Sequence, residues 1–386
     1  MLIAREIQSS IASQTPPKAV VLLGGRRVGK TTLLNEIARN GVVRQFNGDN
    51  PEDVERLEMR SAGDVVTVLG QGDIIIIDEA QRFPNIGLTL KRLVDANERA
   101  QKQTRIFVTG SSSLDLAKGV KETAVGRLVI RHLWPLSISE AASHAGWGQV
   151  LQNIDRMIVY GMYPNVHVSP ETARSTLLNY TEGFLFKDLF ALSGIRQSVK
   201  FDKLVRMLAY RIGSVVTYEG LARDSGLSNT AVMNYITLLE QCFIVKVCGS
   251  FSRNLDNELK KGKKIYFCDT GVRNAIINDF SPMSGRPDAG ALWENFFFME
   301  RIKLHSNRSD FKTMYFWRTT GNTPQEIDFI EVVDNKMEAF ECKLSARVKA
   351  KGAAGFAKAY PGCPIRTVSP SDLMNIWRAE DLQPEQ

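Results

Sequence analysis

Residues 24 to 31 read Gly24-Gly25-Arg26-Arg27-Val28-Gly29-Lys30-Thr31, with Thr32 next. This satisfies G-x-x-x-x-G-K-[ST] in full. An apolar run, Ala19 to Leu23, precedes it, and a stretch of helical character, Thr32 to Arg39, follows. Glycines let successive backbone N–H groups curl around phosphate oxygens, and a helix start adds its positive end. Lys30 is then placed to reach the β- and γ-phosphates of ATP, and the Thr31 hydroxyl to ligate Mg2+. The whole segment from Gly24 to Thr32 is the expected nucleotide cradle.

Such a cradle needs carboxylates on a neighbouring strand. Asp73-Ile74-Ile75-Ile76-Ile77-Asp78-Glu79 supplies them at the end of a β-branched run that reads as a strand buried on both faces. Asp78 would hold the shell of the magnesium ion, and Glu79 would polarise the attacking water. Arg105 to Gly110 reads as a further strand leading into Ser111-Ser112-Ser113. Two readings of Ser111 stand: a sensor of the γ-phosphate beyond the strand's carboxyl end, or a helix cap. Arg127 likewise reads as an arginine finger for a neighbouring subunit or as a surface residue opening a strand.

A second constellation lies near the C-terminus. Glu326 to Val333 and Lys336 to Leu344 alternate as two strands around Asp334-Asn335. That register sets Val333 against Lys336 and Asp328 against Glu341, with the latter pair's Cβ atoms about 4.5–5.5 Å apart on one face. Lys343 shares the face. Adjacent carboxylates repel unless a cation or proton intervenes, and a divalent metal is the natural solution. A slip of one residue would turn the acids apart. The competing reading is an ion pair in which Lys343 neutralises the acids.

Thr217 to Val247 carries a nucleic-acid signal. Leu221-Ala222, the turn at Gly226 and a second helix over Asn229 to Leu239, with Val232, Ile236 and Leu239 on one face, suit two helices packed across a tight turn. In DNA-binding versions the second helix enters the major groove, so Ser228, Asn229, Thr230 and Asn234 would face the duplex. Lys260, Lys261, Lys263 and Lys264 add positive charge for phosphates. A solvated loop, and a helix pair that packs on protein, are the alternatives.

With these residues in view, the sequence resembles a large prokaryotic family joining an AAA-like P-loop ATPase domain to a C-terminal part that contains a winged helix and a nuclease-like fold. The resemblance is carried by Leu23 to Leu34, Ile74 to Gln81, Val108 to Ser112, and Gly126-Arg127 through Glu140. It continues in Tyr160-Gly161-Met162-Tyr163-Pro164, Lys264-Ile265-Tyr266-Phe267-Cys268-Asp269-Thr270-Gly271, and the Glu326-Ile327-Asp328 to Glu341-Cys342-Lys343 pair. It implies an ATPase and favours the finger role for Arg127. Met162 stands where a second glycine is usual. The Asp…Glu-x-Lys hairpin is similar to the PD-(D/E)XK nuclease core, and that resemblance implies Glu294 as the additional carboxylate.

Composition sets the frame. The chain has 386 residues and a formal net charge of +7, with 44% apolar and 24% charged side chains. Those values exclude a disordered or fibrous chain and suggest two or three domains. The expected fold class is α/β. A P-loop NTPase domain of AAA+ type over 1–150 is followed by a helical and winged-helix segment over 151–255 and an α+β nuclease-like domain over 256–386. No stretch approaches the ~20 apolar residues of a membrane span. Five scattered cysteines, never spaced C-x-x-C, point to reduced thiols in a cytoplasmic protein. The expected function is ATP hydrolysis with Mg2+ by a homo-oligomeric ring, a hexamer, acting as a motor on duplex or branched DNA. Its rivals are a regulatory switch without motor activity and an ATP-gated, metal-dependent nuclease.

Overall fold

The computed structural model describes residues 2–58, 61–70, 72–111, 126–186, 198–252, 262–310, 312–319, 323–334, 336–345 and 353–381. The expectations attached to Ser112, Ser113, Lys260 and Lys261 lie outside the described residues. Contacts divide the chain into two compact units. One holds Leu2–Pro135 with Gln241–Phe243, and the other holds Leu136–Glu240 with Ile244–Gln386. The first boundary thus falls before residue 150, and the segments 151–255 and 256–386 share one unit.

The first unit is built on β1 (Ala19–Leu23), β2 (Val43–Asn47), β3 (Ile74–Asp78), β4 (Arg105–Gly110) and β5 (Leu128–His132). They form one five-stranded sheet, order β2-β3-β4-β1-β5, in which every pairing is parallel. β1 and β3 are buried along their whole length, which is why both read as unbroken apolar runs. Val21, Leu23, Ile75, Ile77, Val108 and Leu90 share one core. Since all strands run the same way, β1, β3 and β4 deliver Gly24, Asp78 and Ser111 to one edge. The helix Lys30–Ile37 also starts there. This is the P-loop NTPase fold, and its ligand edge lies beyond the strands' carboxyl ends.

The second unit carries helices and a seven-stranded mixed sheet, order β12-β11-β10-β9-β7-β8-β6. Its strands are β6 (Val215–Val216), β7 (Val245–Ser250), β8 (Lys263–Phe267), β9 (Thr313–Arg318), β10 (Glu326–Val333), β11 (Lys336–Cys342) and β12 (Ile365–Val368). The β10–β11 hairpin runs from Val333 against Lys336 to Phe329 against Phe340, the register read from the sequence. Between Ile327 and Ile330 the pairing of β10 with β9 shifts, a bulge that places Asp328 off the ladder. The helix Ala289–Arg308 packs Phe297 against Phe329 and Phe340.

Two glycine-bearing segments interlock in this unit. Asp269 caps the helix Thr270–Ile277 through the N–H of Val272 and accepts from the N–H of Met162 at 2.7 Å. A Cβ on Gly161 would sit 2.0 Å from Oδ1 of Asp269, and one on Gly271 1.9 Å from the Tyr160 carbonyl. The bond to Asp269 is made by the backbone N–H of Met162, which any residue but proline supplies.

Helices Ser198–Tyr210, Tyr218–Ser225 and Asn229–Gln241 precede or separate the short strands β6, β7 and β8, which pair antiparallel. Gly226, at φ 75°, ends the second helix in the left-handed region that glycine occupies without strain. Val232, Ile236 and Leu239 are buried on the third helix, as its spacing required.

Candidate functional site

The P-loop is shaped by steric necessity. A Cβ on Gly24 would lie 2.1 Å from the Leu133 carbonyl, so only glycine lets β1 turn there. Arg27 and Gly29 have φ values of 62° and 96°, which fold the loop back before the helix begins at Lys30. Arg5 braces the loop by donating to the carbonyls of Val28 (2.8 Å) and Trp134 (2.7 Å).

Lys30 is 6% exposed, and its ammonium donates to the carbonyls of Gly24 at 2.8 Å and Gly25 at 2.9 Å. Burial pulls its pKa down to about 8, against the opposing pull of Glu79 and Asp78, while Arg26 adds to the lowering. An ammonium buried against loop carbonyls, with no carboxylate hydrogen-bonded to it among the described contacts, suits a polyanionic ligand.

Thr31 donates its hydroxyl to Oδ2 of Asp78 at 2.9 Å. The other oxygen of Asp78 accepts from the Thr109 hydroxyl and from the Glu79 N–H, the latter at 3.2 Å. A hydroxyl and a carboxylate side by side beneath the loop form the hard-oxygen pair that Mg2+ takes alongside phosphate oxygens. The residues therefore fit Mg2+–ATP.

Glu79 begins the segment after β3 in a left-handed conformation, φ 50°. Its Oε2 accepts from Gln81 at 2.5 Å and from Ser111 at 3.2 Å, and Gln81 also donates to Ser111 at 3.0 Å. Ser111 thus adjoins the acid, and the helix it would cap lies outside the described residues. The sequence reading missed Gln81 and Thr109. Their signal was visible only as polar residues near the carboxyl ends of β3 and β4. Oε1 of Gln81 is buried and has no hydrogen-bond partner among the described residues.

Arg127, in the stretch leading into β5, pairs with Asp95 on the helix Ile86–Arg99, Nε to Oδ1 at 2.5 Å. It is partly exposed, and its counter-ion within the chain could not be read from spacing.

In the second unit, Ser228, Asn229, Thr230 and Asn234 are exposed on the outward side of their helix. Ser228 also accepts from the Ala231 N–H, a capping role. Lys263 is half-buried. Lys264 corrects the reading of a lysine patch: it is fully buried and cannot meet DNA phosphates. On a strand, neighbouring side chains point to opposite faces, so Lys264 turns inward where Lys263 does not.

There Lys264 meets the acids that the hairpin resemblance assigned to a metal. Its Nζ lies 2.8 Å from Oε1 of Glu294, 2.6 Å from Oε1 of Glu326 and 3.9 Å from Oδ1 of Asp328. Oδ2 of Asp328 accepts from the Cys342 N–H at 2.7 Å, and Tyr266 donates to Glu294 at 2.7 Å. Lys343 pairs with Glu341 at 2.7 Å. Burial pushes Glu294 up to about 7, Lys264 pulls it back, and Asp328 raises it further. Burial and then the charge of Asp328 raise Glu341. Among the described residues, no group of three or more His, Cys, Asp or Glu is arranged to hold a metal ion. Lys264 is thus the cation recorded among Glu294, Glu326 and Asp328.

Among the described residues, no helix is long and apolar enough to cross a membrane. Comparison with known proteins agrees with the first unit's architecture. Residues 16–142 match the family described as AAA domain; residues 151–282 and 289–375 match two families described as domains of unknown function, DUF8612 and DUF4143. An uncharacterized protein of Mycobacterium tuberculosis is 28% identical over 85% of this chain and 70% of its own length. An uncharacterized protein of Methanocaldococcus jannaschii is 23% identical over 92% of this chain and 81% of its own length. Among solved structures, a Walker-type ATPase of Pyrococcus abyssi covers 72% of this chain and 96% of its own, at 14% identity and a TM-score of 0.49. Residues 16–142 thus match the AAA domain family within a P-loop NTPase fold, in a chain similar over most of its length to uncharacterized bacterial and archaeal proteins.

Proposed function

We propose that this chain hydrolyses ATP with Mg2+ and couples the hydrolysis to DNA, as a homo-oligomeric ring whose sites are completed by Arg127 of a neighbouring subunit. One observation carries the ATPase reading: Lys30, Thr31, Asp78 and Glu79 converge at the carboxyl ends of β1 and β3, with Thr31 bonded to Asp78. When ATP binds, Lys30 exchanges its loop carbonyls for phosphate oxygens. Thr31 and Asp78 would hold the magnesium ion, which would supply positive charge to the phosphates. Glu79, steadied by Gln81 and Ser111, accepts the proton of the attacking water. Oε1 of Gln81, without a partner among the described residues, offers that water a second acceptor.

The DNA reading rests on the second unit. Three helices with the small antiparallel set β6-β8-β7 follow the order of a winged helix. Ser228, Asn229, Thr230 and Asn234 occupy the exposed face of its third helix. That face is polar but not basic, so weak, sequence-tolerant contact is expected. A regulatory switch is the second reading, and the Arg127–Asp95 pair favours it, because a finger must first leave its own counter-ion.

Steady-state ATP hydrolysis without DNA, with linear duplex and with a four-way junction decides between them. Stimulation by DNA that is lost in Lys30→Ala and in Asn229→Ala/Asn234→Ala supports the coupled ATPase. Slow turnover indifferent to every DNA supports the switch.

A further inference from the structure

Three acidic side chains from two elements meet one lysine inside the second unit. Lys264 lies on β8, Glu294 on the helix Ala289–Arg308, and Glu326 and Asp328 on β10. The lysine side chain is completely buried, while those of Glu294, Asp328 and Glu326 are 11%, 15% and 29% exposed. An isolated ammonium would not remain charged in such a place; three carboxylates around it supply the reason that it does.

Other oxygens of the cluster have partners of their own. Oε1 of Glu294 accepts from both Lys264 and Tyr266. Oδ2 of Asp328 accepts from the Cys342 N–H, and the second oxygen of Glu326 faces Arg318 at 3.6 Å. Oε2 of Glu341, the acid that the hairpin arrangement would add, accepts from Lys343, while its Oε1 is buried without a hydrogen-bond partner among the described residues.

A divalent cation shared by Glu294 and Asp328 needs carboxylate oxygens at about 2.0–2.6 Å. An ammonium nitrogen 2.6–2.8 Å from Glu326 and Glu294, and 3.9 Å from Asp328, already holds one of those oxygens and sets a positive charge beside that position. Two positive charges so close repel each other in a water-poor setting and compete for Oε1 of Glu294. The side chain that excludes the metal comes from a strand outside the hairpin, so the hairpin's own sequence does not reveal it.

We infer that Lys264 is the resident cation of this carboxylate cluster: it takes the seat a nuclease metal would need and ties β8 to the helix Ala289–Arg308 and β10. The wild-type cluster then binds no divalent ion, and the second unit serves recognition rather than strand cleavage. This inference is independent of the ATPase reading, since no residue of the P-loop enters it.

The test is Mn2+ titration of the nucleotide-free full chain, followed by water-proton relaxation and by thermal melting. Asp78→Asn is present throughout to silence the nucleotide-linked metal site. With Lys264 intact, no Mn2+ site filled below 1 mM, on the order of weak adventitious binding, is expected. Lys264→Met should gain one Mn2+ site at least tenfold tighter, and Mn2+ should raise its melting temperature. Adding Glu294→Gln to Lys264→Met should remove both effects. Tight Mn2+ binding by the Lys264-intact chain that disappears in Glu294→Gln or Asp328→Asn overturns the inference. So does a folded Lys264→Met chain that gains no site. If Lys264→Met does not fold, the Lys264-intact titration alone decides.

Discussion

The hydroxyl of Thr31 donates to Oδ2 of Asp78 across 2.9 Å, joining the first turn after the P-loop to the end of β3. Two residues far apart in sequence thereby form one oxygen-lined seat. Lys30 stands beside them on one flank and Glu79 on the other. The consequences below follow from which neighbours each group has.

Lys30 titrates near 8 in the fold, against 10.5 as its ordinary value. A base with a lowered folded pKa weakens the fold below about pH 8, and that penalty fades as pH rises toward 10.5. Without nucleotide, Lys30→Met should therefore be more stable than wild type at pH 7, by on the order of 1–3 kcal/mol. The lost bonds to Gly24 and Gly25 offset part of that gain. The advantage should shrink by pH 10. Urea melts at the two pH values measure it, and a pH-independent difference would contradict the charge argument.

Gln81 touches Glu79 and Ser111 but no P-loop residue among the described bonds. Gln81→Leu should lower kcat about ten- to hundredfold while leaving the Kd for ATP within about twofold, the mark of a positioning residue. Glu79→Gln should cost about 10²–10⁴-fold in kcat, as removal of a general base does. Paired turnover and fluorescent-nucleotide binding assays separate these effects. A parallel loss of ATP affinity in Gln81→Leu would show that it shapes the pocket instead.

If Arg127 acts in a neighbour's site, two inactive variants should complement. Lys30→Ala lacks a working pocket but keeps its arginine, and Arg127→Ala has the reverse defect. Mixed oligomers would contain some intact composite sites. A mixture recovering about a quarter of wild-type turnover is expected from random assembly in pairs along a ring. No recovery in chains shown to co-assemble would assign Arg127 to its bond with Asp95 alone.

Arg301 and Glu331 are both fully buried, with Nε to Oε1 at 2.6 Å and a second bond at 2.8 Å. Burial pushes Glu331 up, but Arg301, helped by His305, holds it well below the usual carboxylate range. The stability it contributes is thus present above about pH 4.5 and is lost as pH falls further. Arg301→Met should cost about 3–5 kcal/mol because it strands a buried charge. Arg301→Met/Glu331→Met should recover most of that loss in denaturant melts.

Much of the nucleotide site was legible because its chemistry is local. Gly24 to Thr31 are contiguous, and the Ile74 to Asp78 run announces its own burial. The β10–β11 register was equally legible, since a two-residue connection sets Val333 against Lys336 and each later pair follows. Lys264 was misread because a run of lysines looks like a surface patch; period-two alternation allows either lysine of the pair at 263 and 264 to face inward. Gln81 and Asp95 were missed because their partners, Ser111 and Arg127, come from other strands or helices.

By itself, the sequence determined where a phosphate can be cradled, which strand ends in the two acids, and how the late hairpin pairs. These depend on backbone conformation and on neighbours a few residues apart. Tertiary structure alone decided that Thr31 meets Asp78, that Asp95 holds Arg127, and that Lys264 lies among Glu294, Glu326 and Asp328. An ion pair forms only between charges that packing brings within a few ångströms, and its strength depends on the water that packing removes.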